Sequence, residues 1–156
     1  MNTQTMNKAL IVIGYGNELR SDDGIGQRVA KALQLSNTKS IAVHQLTPEL
    51  AEVLANTELA IFIDACLASE SSQVQVQSLL PNSSTAIAGH TADPRSLLAL
   101  TKVIYGYCPQ AWWVTVPGVN FEFGENLSPL AEQGIEIAID KINHLIKNSF
   151  IKPQTG

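Results

Sequence analysis

The chain has 156 residues, 45% of them hydrophobic and 15% charged, with a formal net charge of −4 at pH 7. That is one domain's length with enough apolar material for a core that needs no staples, and too little charge for a disordered or solvating chain. A net negative charge without any run of Lys and Arg leaves no general electrostatic means of holding nucleic acid or an anionic membrane.

The two cysteines, Cys66 and Cys108, fit no zinc spacing and read as plain thiols of a reducing cytoplasm. The polar start Met1–Asn7 and the five-residue apolar run behind it give no signal-peptide core, and no stretch approaches the ~18 apolar residues of a membrane span. A cytoplasmic protein is expected.

Ala9–Ile13 is a short continuous apolar run ended by Gly14, the pattern of a strand buried on both faces. Gly14-Tyr-Gly-Asn17 reads as a tight turn. Ile25, Val29, Ala32 and Leu33 recur at helical spacing, predicting a helix over 24–35. Ile41–Val43 is a second strand. Thr47-Pro48-Glu49 predicts a helix start with Thr47 as N-cap, and that helix carries Leu50, Val53 and Leu54.

Leu59–Ile63 is a third buried strand, ending in Asp64. Gln73–Gln77 alternates strictly and predicts a half-exposed strand at a sheet edge. Asp93-Pro94 opens a helix bearing Leu97, Leu98, Leu100, Val103 and Ile104. Trp112–Val116 is a further strand, stopped by Pro117-Gly118, with Trp112 and Trp113 on opposite faces. Ser128-Pro129 starts the last helix, with an apolar face of Leu130, Ile135, Ile139, Ile142 and Ile146. It runs to about Lys147, before a frayed tail over 148–156.

Strands alternating with helices predict one α/β domain, a mostly parallel sheet between helices on both faces, with its core over about 8–147. In such sheets ligands sit beyond the carboxyl ends of the strands. Two strand ends there carry chemistry. Gly14-x-Gly16 suggests a dinucleotide loop, but Leu19 stands where the third glycine belongs, and no acid ends the second strand, which runs into His44. Asp22 and Asp23 precede a helix and have a plain reading as helix-capping acids; Asp22 suits that role, leaving Asp23 to face elsewhere. Asp64 leaves a buried strand directly into the crevice, where a charge is costly unless paired, hydrogen-bonded or metal-bound.

His90, in Ala88-Gly-His-Thr-Ala-Asp-Pro94, precedes a helix. His44 is a weaker rival, and His144 reads as solvent-facing. Two carboxylates and an imidazole on strand-end loops suit nickel or zinc, with positions left open for water or substrate. The helical zinc-protease motifs and the serine-hydrolase elbow are absent. Cys66 follows Asp64 by two residues, a neighbour that disfavours a reactive thiolate, and Cys108 is incidental.

The stretch Gly14-Tyr-Gly-Asn17-Glu-Leu19-Arg-Ser-Asp22-Asp23-Gly24-Ile-Gly26 resembles the glycine–asparagine–acid-pair signature of the hydrogenase maturation proteases. Phe62-Ile-Asp64-Ala is similar to that family's second acid motif, and His90 falls where the family keeps its histidine. Val116-Pro117 through Gly124-Glu-Asn-Leu127-Ser128-Pro129 resembles its closing pattern. The resemblance spans nearly the whole chain.

It implies an aspartic-type endopeptidase that removes the C-terminal extension from a [NiFe] hydrogenase large-subunit precursor after nickel insertion. Asp23, Asp64 and His90 would engage the nickel, which the substrate carries. Asp22 would support them, Gly14, Gly16 and Asn17 would form the turn that aims Asp23, and no stable organic cofactor is implied. Asp23 and Asp64 are the candidates for catalysis, either through metal-activated water or as a general base, and no nucleophile is assigned. Both acids should be ionised near neutrality beside a divalent cation, and His90 must be neutral to ligate, so affinity should fall toward pH ~6. The competing readings are a small-ligand or nucleotide-binding α/β module and a self-contained zinc hydrolase using the same residues. The sequence leaves the oligomeric state open; a monomer is compatible with it.

Overall fold

The computed structural model describes residues 9–35, 38–82 and 93–150. In chain order, β1 (Leu10–Tyr15) leads through a 3-10 turn (Ser21–Gly24) into α1 (Ile25–Ala32) and β2 (Thr38–Val43). Then come α2 (Leu50–Leu54), β3 (Leu59–Leu67) and β4 (Gln75–Leu79). The chain ends with α3 (Pro94–Tyr105), β5 (Gln110–Gly118) and α4 (Pro129–Phe150). The five strands form one sheet in the order β2-β1-β3-β5-β4, parallel except for β4, which runs antiparallel to β5 at the edge.

Strand alternation divides the core into two layers. Leu10, Val12, Ile61, Ile63, Val114 and Val116 point to one face and are covered by α1 and α4 through Ile25, Val29, Ala138 and Ile142. Ile11, Ile13, Ala60 and Phe62 point to the other and meet Ala51 and Leu54 of α2 and Leu97 and Leu98 of α3. Trp112 packs into the first layer and Trp113 into the second, on opposite faces as their adjacency requires. This is the single three-layer α/β domain expected from the alternating pattern.

Several element ends differ from the sequence reading, each for a local reason. β1 continues through Gly14 and Tyr15. A Cβ on Gly14 would lie 1.9 Å from the Gly26 carbonyl oxygen, and one on Gly26 would lie 2.5 Å from the Ile63 carbonyl oxygen. Gly14 is therefore less a turn residue than the place where α1 rests directly on the strand backbone. β3 runs four residues past Ile63, paired with β5 as far as Leu67–Gly118, so Asp64 lies within the strand. β5 passes through Pro117 and Gly118 because β4 reaches only to Thr115, leaving Pro117 on a one-sided stretch where a missing amide costs no ladder bond.

β2 begins three residues before Ile41, and β4 is displaced by two residues from the predicted run but holds the predicted edge. α1 is shorter than predicted: Gly24 belongs to the 3-10 segment, and the helix stops at Ala32 because Leu33 turns extended. Thr47 does not cap α2: its carbonyl accepts the Leu50 amide in a turn, and the helix starts after Glu49.

Asp93 does cap α3, accepting the Arg95 amide at 2.8 Å, and the Ser128 hydroxyl caps α4, accepting the Ala131 amide at 3.1 Å. Val103 and Ile104, predicted on the apolar face of α3, are 71% and 57% exposed, because the buried stripe runs through Leu97, Leu98 and Thr101 instead. α4 extends to Phe150, so Asn148 and Ser149 are helical rather than part of a tail. Among the described residues no helix is long and apolar enough to cross a membrane.

Candidate functional site

The strand order reverses direction at β1: the chain leaves it for β2 on one side and returns to β3 on the other. A crevice opens at the carboxyl ends of strands at such a switch point. Here a cleft of about 530 Å³ lies against the carboxyl halves of β3 and β5, lined by Asp23, Asp64, Cys66, Trp113 and Thr115, with Gln75 and Gln77 of β4 on its outer side. Two of the three expected metal-engaging groups, Asp23 and Asp64, thus face one cleft. The third, His90, lies outside the described residues. Among the described residues no three His, Cys, Asp or Glu side chains come together as a metal-binding set. His44 and His144 are both exposed, and neither lines this cleft.

Asp23 is aimed by the loop before it. Gly16 sits at φ 143°, and a Cβ there would lie 2.0 Å from the Asp23 carbonyl oxygen, so only glycine permits this turn. The Asn17 amide donates to Asp23 Oδ2 at 2.8 Å, and Asn17 Oδ1 accepts the Leu19 amide at 2.9 Å, closing an Asx turn. Gly16 and Asn17 therefore serve the turn as expected.

Asp22 does something the sequence reading did not give it. It caps neither the 3-10 turn nor α1; neither element has a side-chain cap bond. Its carboxylate is fully buried and accepts from the amides of Val119, Asn120 and Ser128 and from the Ser128 hydroxyl, at 2.9, 3.1, 2.8 and 2.7 Å. Burial pushes the carboxyl up, but the Ser128 amide and hydroxyl, with the Val119 and Asn120 amides, outweigh it and hold Asp22 below the usual carboxylate range. Asp22 is a fastener between the first loop and the loop that follows β5.

Its neighbours reinforce the join. The Ser21 amide donates to Gly124 O at 2.7 Å, the Ser21 hydroxyl to Glu122 O at 2.8 Å, and Arg20 Nε to Phe121 O at 3.1 Å. Ser21 adopts φ 55° to make these bonds.

The same bonding answers the nucleotide reading. The amides of Gly16, Asn17, Leu19, Arg20, Ser21, Asp22 and Asp23 all donate within the protein. A phosphate-cradling loop needs such amides free. Here the Asp23 carboxylate takes the place of an incoming anion.

Asp64 is the electrostatically strained member. Burial raises its carboxyl, the Ala65 amide (to Oδ1, 2.8 Å) pulls it back, and the nearby Asp23 charge raises it again, leaving it at about 7. The free protein therefore holds Asp64 part-protonated at neutral pH, where the sequence reading, which assumed a cation, had it ionised. The Cys66 thiol is raised chiefly by burial, with the Glu70 and Asp64 charges adding to this, which disfavours a reactive thiolate; both cysteines are free.

Two participants were missed in the sequence. Tyr15 follows Ile11 and Ile13 on one face of β1. One step beyond the Gly14–Ile63 pair it stands beside Asp64, with its hydroxyl near both the Asp64 carboxyl and the Trp113 indole. Ending β1 at Ile13 hid this; extending the period-2 alternation to Tyr15 would have revealed it.

No protein-family model matches the sequence, and no curated protein sequence does either. Solved structures do match. The hydrogenase maturating endopeptidase HybD from E. coli superposes with a TM-score of 0.72 at 20% identity, covering 90% of this chain and 93% of that one. A hydrogenase 2 maturation peptidase from a Thaumarchaeota archaeon gives 0.67 at 21% identity, over 90% and 99% of the two chains. The [NiFe] hydrogenase maturation protease HycI from Thermococcus kodakarensis gives 0.68 at 18%, over 90% and 93%. The chain has the fold of the hydrogenase maturation endopeptidases, nearly end to end in both directions.

Proposed function

We propose that this protein is a hydrogenase maturation endopeptidase, which removes the C-terminal extension of a [NiFe] hydrogenase large-subunit precursor after nickel has been inserted. The observation that carries this reading is the convergence of Asp23 and Asp64 on one cleft at the switch point of a sheet with that fold. In this reading the nickel belongs to the substrate, and Asp23, Asp64 and His90 engage it. Two carboxylates and an imidazole match a borderline divalent cation and leave coordination positions to the substrate's own ligands. Specificity comes from assembly: a precursor without nickel lacks the ion that relieves the repulsion between the two acids.

Hydrolysis of the scissile amide requires a group that accepts a proton from water. Asp23 and Asp64, the two carboxylates that line the cleft, are the groups placed to do so. The polar side chains of Ser71, Gln75, Gln77 and Thr115 along the cleft supply donors and acceptors for the main chain of an extended segment. The setting we propose is the cytoplasm, in keeping with two free thiols.

The test is a cleavage assay on nickel-loaded and metal-free precursor, with the released C-terminal fragment followed by mass spectrometry. Release from the loaded precursor alone supports the reading. Equal release from both would remove nickel recognition from it, and release from neither would remove the peptidase.

A further inference from the structure

Tyr15 is 6% exposed, yet its hydroxyl completes no hydrogen bond with any described residue, and the Trp113 indole N–H, also buried, completes none either. A buried donor left unpaired keeps the full cost of its lost hydration. Two of them side by side call for an account. They flank one carboxylate: Tyr15 is on β1 and Trp113 on β5, with β3 and Asp64 between them, and all three point to the α2–α3 face.

Each is mechanically held. Tyr15 is locked between Gly14, on which α1 rests, and Gly16, whose amide is tied to the Val43 and His44 carbonyls. Trp113 lies under the Arg95 guanidinium, 5.6 Å from the ring centroid, and Arg95 is itself clamped to Asp93 by bonds of 2.7 and 3.1 Å. The Ala65 amide fixes Asp64 Oδ1 from the other side and leaves Oδ2 without a described donor.

We infer that Tyr15, braced by the Trp113 N–H, is a positioning residue for Asp64: its hydroxyl donates to the free carboxylate oxygen and fixes the direction in which Asp64 meets the substrate. The chain of donation runs from indole N–H to phenol oxygen and from phenol O–H to carboxylate. Each group in that chain gains the partner it lacks, and neighbouring bonds in such a chain strengthen one another. No covalent step is involved. The inference rests on the proposed peptidase reading for its kinetic consequence, but not for the bond itself.

The test therefore has two arms. In the first, Tyr15→Phe is assayed on nickel-loaded precursor beside the wild type. The expected result is a fall in kcat of ~10–100-fold with KM nearly unchanged, the scale of loss for a misdirected catalytic group. The melting temperature should change little, because the ring stays packed and only the hydroxyl is lost. A merely structural Tyr15 would show the reverse, lost stability with kcat kept, and that result overturns the inference.

The second arm uses no substrate. The side-chain carboxyl 13C resonance of Asp64 is compared in wild type, Tyr15→Phe and Trp113→Phe. It should move in Tyr15→Phe and move less, in the same direction, in Trp113→Phe. An unmoved resonance in Tyr15→Phe overturns the inference even if the wild type cleaves. If the wild type cleaves nothing, the peptidase reading fails and the resonance alone decides the role of Tyr15.

Discussion

The hydroxyl of Ser128 donates to Asp22 at 2.7 Å while accepting the Ala131 amide at 3.1 Å, so one side chain both caps α4 and binds an acid 106 positions earlier. Asp22 in turn receives the backbone amide of the same serine at 2.8 Å. The start of the last helix and the loop carrying Asp23 are a single mechanical unit.

Asp22→Ala should cost about 3–5 kcal/mol, since it removes a buried carboxylate and strands three part-buried amides and a hydroxyl that were paired with its charge. Ser128→Ala should cost less, about 1–2 kcal/mol, for the cap and one bond. Equilibrium urea unfolding measures both, and an Asp22→Ala loss below that of Ser128→Ala would contradict the fastening role.

Stability should respond to pH through Asp64 in the sense opposite to an ordinary salt-bridged acid. Its folded pKa, about 7, lies above the unfolded value of roughly 3.9. Between these values the folded state holds more protons than the unfolded one, so this group makes stability decline as pH rises from about 4 to 7. Asp64→Asn should accordingly stabilise the protein by up to ~4 kcal/mol at pH ~8, where the whole shift counts, and by almost nothing at pH ~4. Thermal unfolding of both proteins across that range would show the two curves converging in acid.

Asp22 works the other way. Its depressed folded pKa contributes stability above the unfolded value that is lost as pH falls through the folded one. Acid unfolding of wild type and Asp22→Asn should therefore converge at the lowest pH, whereas the Asp64 pair converges there from the opposite sign.

Two glycines offer a contrast. Gly14→Ala drives a Cβ to 1.9 Å from the Gly26 carbonyl oxygen and should prevent α1 from seating, with a loss of ~3 kcal/mol or more. Gly106→Ala, at φ 76° in open space after α3, should cost only about 1 kcal/mol of backbone strain. Comparable losses at the two sites would refute the close approach of α1 to β1.

If the nickel belongs to the substrate, protein purified without added metal should carry well under one equivalent of zinc or nickel by elemental analysis, whereas a resident zinc hydrolase would retain a full one. Asp23→Ala should lower processing of loaded precursor by at least ~100-fold, because loss of even an outer partner of a metal ligand costs ~10–100-fold. Normal processing by that variant would remove Asp23 from the site.

The sheet and the two strand-end acids were legible because buried parallel strands leave continuous apolar runs, and because ligand sites follow strand ends. Ser128 was legible as a cap, and Asp93-Pro94 as a helix start, because these signals are local. The role of Asp22 was not, since its partners lie 97 to 106 residues away and nothing near it in sequence marks them. Gly14 was misjudged for a related reason: a loop glycine and a packing glycine look alike until the helix is laid on the strand. Tyr15 and Trp113 needed the register between β1, β3 and β5, which periodicity alone does not supply.

The fastening of Asp22 also orders events during synthesis. The loop that carries Asp23 emerges early, but every donor that holds Asp22 belongs to residues 119–128. A ribosome-bound chain lacking those residues can form the Asn17 turn but cannot fasten it in place, and pairing at such separation is among the late and slow steps of folding. The cleft therefore comes into being only after residues 110–128 have joined the fold, and a chain without them has no finished site with which to act on anything.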